Sequence, residues 1–110
     1  MGASVVVLRP GIAMSSRVEG KYTVHGTPAA TNIYCGFVPS KVIVTNATDG
    51  DAGGSWTTEF ANGTGMDEDG TAIASNGITP LEDSTGMGFT VGTDTNLLEA
   101  SKVYTFEAFR

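Results

Sequence analysis

The sequence predicts an all-β fold: a single-domain β-sandwich or barrel of short antiparallel strands with an extended N-terminal arm. Three observations carry that expectation. Apolar and polar residues alternate over short runs, the two-residue period of a half-buried strand. No window sustains the 3.6-residue period of an amphipathic helix. Glycine, at 15 of 110 positions, falls at nearly every boundary between runs, where turns need backbone angles that other residues resist.

Each element follows in order. "SVVVL" (4–8) reads as a first strand or arm, stopped by Pro10-Gly11. Residues 1–18 form the expected arm and residues 19–110 the expected β domain. "GKYTVHG" (20–26) sets Tyr22 and Val24 on one face and Thr23 and His25 on the other. "TNIYCGF" (31–37) is a strand with a glycine bend. In "SKVIVTN" (40–46) Val42, Ile43 and Val44 are continuous, as in a strand covered on both faces. Further strands are expected in 54–60, 70–75, 77–81 and 87–92, the last with Phe89 and Val91 on one face. "SKVYTFEAF" (101–109) alternates Tyr104, Phe106 and Ala108 with Val103, Thr105, Glu107 and Phe109. "TNLLEASKV" (95–103) allows one helical turn. The glycine-rich tracts 46–56 and 62–70 read as surface loops, where binding residues concentrate on a β scaffold.

Composition bounds the function. Charged residues make up 16% of the chain, below the roughly 25% of an average domain, so part of the surface is expected to meet a partner. The net charge is -6 and unevenly placed: the basic residues are Arg9, Arg17, Lys21, Lys41, Lys102 and Arg110, with none between Val42 and Ser101. Nucleic-acid binding through phosphates needs clustered Lys and Arg and is not expected. The acidic remainder either meets a basic partner or keeps the protein in solution. No stretch reads as a secretory leader or reaches the roughly 20 apolar residues of a membrane helix, so no membrane partner is expected.

Candidate chemistry is sparse. Cys35 is the single cysteine, so no internal disulfide forms; beside Tyr34 and Phe37 it reads as a small buried hydrophobe. As a nucleophile it would need His25, the one histidine, as its base, and no third group is spaced to orient the pair. Asp49, Asp51, Asp67 and Asp69 are oxygen donors of the kind calcium takes, but neither "DGD" nor "DEDG" completes a calcium loop. Nothing selects a catalytic pair from Glu59, Glu82 and Asp83. Trp56, Tyr22, Tyr34 and Tyr104 offer rings for stacking on sugars, although a tryptophan at a strand start also suits a core edge. No cofactor, metal or enzymatic activity is expected.

One pattern goes further. "GF-P-KV-V-N" at Gly36, Phe37, Pro39, Lys41, Val42, Val44 and Asn46 precedes a polar loop and Trp56. A closing set follows at Gly88, Phe89, Val91, Gly92, Asp94 and Asn96, then Tyr104, Phe106, Ala108 and Arg110. Across roughly residues 31 to 110 this resembles small β-rich virion proteins of tailed bacteriophages, of the capsid decoration or cement type, with related patterns in tail-fibre modules. The resemblance implies a structural protein on the outer surface of the head, made in the host cytoplasm. Its partners would be the major capsid protein and neighbouring copies of itself, as a trimer or other small homo-oligomer. The arm residues Val5, Val6, Val7 and Leu8 would add a strand to a neighbour's sheet, and Arg9 and Arg17 would meet acidic capsid surface. Asp49, Asp51 and Trp56 mark the candidate loop surface. The alternatives are a tail, baseplate or fibre component, and a carbohydrate-binding β-sandwich module using Trp56 and the loop at 46–54.

Overall fold

The computed structural model describes residues 4–7 by their main chain, and residues 17–50 and 53–110 in full. The fold is all-β, and no helix occurs among the described residues. The strands are β1 (Ser4–Val7), β2 (Arg17–Thr23), β3 (Thr31–Tyr34), β4 (Lys41–Asn46), β5 (Gly53–Thr57), β6 (Thr64–Asp67), β7 (Ala72–Glu82), β8 (Met87–Val91) and β9 (Val103–Phe109). They join in a single sheet of order β1-β3-β8-β7-β6-β5-β4-β9-β2. Neighbours are antiparallel, except that β1 runs parallel to β3.

The sheet curls. In its order, β8 and β9 are separated by β7, β6, β5 and β4. Phe89 of β8 and Phe106 of β9 nevertheless meet edge to face, ring centroids 5.5 Å apart. The inner face encloses one core containing Tyr22, Ile33, Val42, Val44, Trp56, Ile73, Ile78, Phe89, Val91, Tyr104 and Phe106. Alternation places them there: in β4 Val42, Val44 and Asn46 point in while Lys41 and Thr45 are exposed, and Ile43 is half-buried on the outer side. Ile43 is therefore not enclosed on both faces, as the continuous apolar run suggested.

Two expectations about the elements need revision, and a third holds. The tract 62–70, read as loop, contains β6, whose Gly65 lies flat against the Ser55 backbone with no room for a Cβ. Segments 70–75 and 77–81 are one strand, β7, with a kink at Asn76, where φ is 59°. Residues 95–103 hold the one helical turn expected of them: the Leu97 and Leu98 amides both donate to the Asp94 carbonyl at 2.9 Å. They belong to a loop that folds across the end of the curled sheet and drives Leu97 and Leu98 into the core, each 1% exposed. Tyr22 fastens that loop by donating its hydroxyl to the Leu97 carbonyl at 2.9 Å.

Candidate functional site

The outward residues of β2, β9, β4 and β5 build an extended face, and strand register fixes its rows. Arg17, Phe109, Lys41 and Thr57 stand side by side in one row. Glu19, Glu107, Ile43 and Ser55 form the next, and Lys21, Thr105 and Thr45 the third. Glu19 opposite Glu107 is a like-charge pair, which alone destabilises a sheet. Arg17 resolves it, with Nη1 2.6 Å from Glu19 and Nη2 hydrogen-bonded to Glu107. These bonds, the one to Glu107 foremost, hold the guanidinium more firmly in its charged form. The Phe109 ring lies between two cations, with Arg17 5.8 Å and Lys41 5.5 Å from its centroid. Arg110 sits 5.3 Å from the centre of the Phe37 ring. One groove crosses β4 to β6, lined by Lys41, Ile43, Thr45, Ser55 and the acids Asp67 and Glu68. A second lies between β2 and β9, lined by Glu19, Lys21, Thr105 and Glu107.

One end of the sheet carries the loops after β4, β6 and β8, and Asn46 joins the first of them to the last. It is fully buried. Its Oδ1 accepts from the amides of Thr48 and Asp49 at 3.0 and 3.1 Å. Its Nδ2 donates to Glu99 and Asp49 at 3.3 and 3.4 Å. Lys102 reaches the other oxygen of Asp49 at 3.4 Å. The Asn-Ala-Thr-Asp sequence builds this locally, because an asparagine side chain readily caps amides two and three residues ahead.

The acids follow the same local logic. Asp67 accepts from the amides of Asp69 and Thr71, and Asp94 from that of Asn96. Asp83 accepts from the amides of Thr85 and Gly86 and from the Tyr34 hydroxyl. The Tyr34 bond is the main reason the Asp83 carboxyl lies below its ordinary range. Among the described residues no group of three or more His, Cys, Asp and Glu is placed to hold a metal.

No known protein family, curated protein or solved structure matches this chain.

The residues singled out from the sequence scatter across this framework. Val5, Val6 and Val7 lie in β1, in register with Asn32, Ile33 and Tyr34 of the chain's own β3. Leu8, Arg9 and Asp51 lie outside the described residues. Arg17 opens β2, so the expected boundary after residue 18 falls within a strand. Asp49 sits in the Asn46 cluster. Trp56 does not belong to a loop surface: it is 2% exposed, within β5 one residue from its end, and donates its indole N–H to the Ala61 carbonyl at 3.2 Å. An alternating strand turned it inward, so it offers no face to a sugar. Tyr22 and Tyr104 are likewise core residues, their rings stacked at 5.3 Å. Cys35 is buried with its thiol against the Phe37 carbonyl, and burial pushes its pKa up. It follows β3 and His25 follows β2, at opposite ends of the sheet by the strand directions. Sequence reading missed Glu19, Glu107 and Phe109 as surface features. Alternation placed Glu107 and Phe109 together on one face of the strand, but only the register of β2 on β9 brings Arg17 to both of them.

Proposed function

We propose that this chain is a phage capsid decoration, or cement, protein that binds the outer surface of the head and stabilises contacts between major capsid subunits. The observation that carries the reading is where the phage-like pattern falls. Val42, Val44, Trp56, Phe89, Val91, Tyr104, Phe106 and Ala108 are all core residues. Gly88 and Gly92 are held against neighbouring backbone, and Asn46 ties the loop after β4 to the loop after β8. The pattern therefore specifies a framework, and the framework presents an extended face of both charge signs, with no deep cleft needed. Such a face suits a broad protein surface of complementary charge.

The mechanism is linkage. A protein that binds only the assembled shell stabilises it, by an amount that grows with the logarithm of its free concentration relative to its Kd. The major capsid protein is the proposed partner, with neighbouring copies of the chain beside it. The carbohydrate reading lost its platform with the burial of Trp56.

The test is the copy number of the chain in purified particles, by quantitative mass spectrometry against the major capsid protein. A ratio near one, or a simple fraction of it, is expected. A ratio far lower would move the protein to the tail or a fibre, and absence from particles would overturn the virion reading.

A further inference from the structure

The sheet does not close: β2 pairs with β9 on one side, and among the described residues nothing pairs with its other side. That edge is seven residues long, Arg17 to Thr23. Its hydrogen-bonding groups can be assigned. The Val24 amide donates to the Lys102 carbonyl at 2.9 Å, and the Ser101 amide to the Val24 carbonyl at 3.1 Å. Residue 24 thus faces β9. In an antiparallel ladder the direction alternates along the strand, so Val18, Gly20 and Tyr22 also bond to β9. The amides and carbonyls of Arg17, Glu19, Lys21 and Thr23 point outward.

Edge strands usually carry charges that block pairing with other chains. Here the charges disfavour two symmetric registers, and the one that overlaps the whole strand, all seven residues, pairs opposite charges. Consider a second copy of β2 laid antiparallel along this edge. Outward groups must face outward groups, so odd-numbered residues pair with odd-numbered ones. Centring on Glu19 sets Glu19 against Glu19 and Arg17 against Lys21. Centring on Lys21 sets Lys21 against Lys21. Both place like charges directly opposite, which is destabilising. Centring on Gly20 sets Glu19 against Lys21 twice and Arg17 against Thr23 twice. The inner-face residues then also match, Val18 of each copy against Tyr22 of the other. Val18 already packs against the core, so the apolar layer continues across the seam. Gly20 faces Gly20 on the axis, with no side chains to collide.

We propose that the β2 edge is a self-association site, where two copies join antiparallel about a two-fold axis at Gly20. The joined edges gain about eight backbone hydrogen bonds, two for each outward-facing pair. The interface is isologous, so it makes a dimer rather than the trimer that the resemblance implies. It does not depend on the location of the protein in a particle.

A charge swap tests the register. The mass of the purified full chain would be followed by light scattering and sedimentation across a concentration series. Wild type should be dimeric. Lys21→Glu places like charges opposite at both symmetric positions and should weaken the dimer about ten-fold or more. Glu19→Lys should do the same. The double variant Glu19→Lys/Lys21→Glu re-creates both opposite-charge pairs and should recover the dimer. Hydrogen exchange gives a second readout: the Glu19 and Lys21 amides should become protected as concentration rises. Lys21 is exposed, and Trp56 emission would show that each variant is folded. A monomeric wild type, dimers insensitive to either single reversal, or outward amides that exchange equally fast at all concentrations would overturn the proposal.

Discussion

Burying an amide side chain completely is costly unless each polar atom finds a partner, and Asn46 finds four: two backbone amides on its oxygen and two carboxylates on its nitrogen. Removing it in Asn46→Ala leaves the Thr48 and Asp49 amides short of an acceptor. Urea unfolding should show a loss of about 1–3 kcal/mol with the slope unchanged. Asn46→Asp is the sharper probe. It keeps the acceptor and replaces the donor by a charge between Asp49 and Glu99. Its deficit against wild type should exceed that of Asn46→Ala at neutral pH. It should shrink as the pH falls toward about 4, where the new carboxyl takes up a proton and can donate again. The capping half of this role was legible, since an asparagine at a strand end before Ala-Thr-Asp is turn chemistry. Its burial was not, because Glu99 lies 53 residues further along the chain.

At the scale of elements, β3 and β8 approach so closely that Gly88 has no room for a side chain: an added Cβ would overlap the Ile33 carbonyl oxygen and crowd the Tyr34 backbone. Backbone in a central ladder cannot step aside, so Gly88→Ala should cost about 3 kcal/mol, the upper end for overpacking. Gly26→Ala is the control, since the nearest atom to its added Cβ is the Ser101 hydroxyl at 3.9 Å; it should stay within about 0.5 kcal/mol. Thermal melting of both variants checks the contrast. β3, β4, β8 and β9 could be read as strands directly from the sequence, β8 and β9 from the faces that their apolar residues share and β4 from its apolar run. The failures share a cause, which is backbone packing that side-chain patterns do not report. "SNG" at 75–77 does turn the chain, through the positive φ of Asn76. The strand still continues, because Gly77 fits against Thr64 and its amide bonds to the Gly63 carbonyl at 2.9 Å. The register on β6 jumps from Gly65↔Ile73 to Thr64↔Ile78 to absorb the kink. Four-residue β6 has Met66 as its one large apolar side chain, too little for a periodic signal. The single turn expected at 95–103 is there, but nothing local to it showed that Leu97 and Leu98 plug the end of the sheet.

Over the whole molecule, the core holds its ionisable groups neutral, and this sets the pH range of the fold. Burial raises the pKa of Tyr22 well above the ordinary 10.0 of a phenol. Burial also raises Tyr104 and moves the Cys35 thiol up from 9.0. Tyr34 is raised chiefly by its hydrogen bond to Asp83. In the unfolded chain these groups lose their protons at the ordinary values, before they do in the folded chain. Above about pH 9 the unfolded state therefore binds fewer protons, and stability falls as the pH rises. The contribution is complete below the ordinary values and is lost progressively through the raised ones. Asp83 acts in the opposite sense. Its folded pKa is depressed, so its contribution is present above the ordinary 3.8 and fades as the pH falls below it. The alkaline limb is the more informative, because Trp56 lies in the same core as Tyr22 and Tyr104. In a pH titration, tyrosinate absorbance and Trp56 emission should change together in one transition above pH 10. Tyr34→Phe should leave that transition in place, since Tyr22 and Tyr104 still drive it, while weakening the acid-side contribution of Asp83. Tyrosines that all titrate near 10.0 with Trp56 emission unchanged would mean that the stacked Tyr22–Tyr104 pair is open to solvent, and that the core does not close around it.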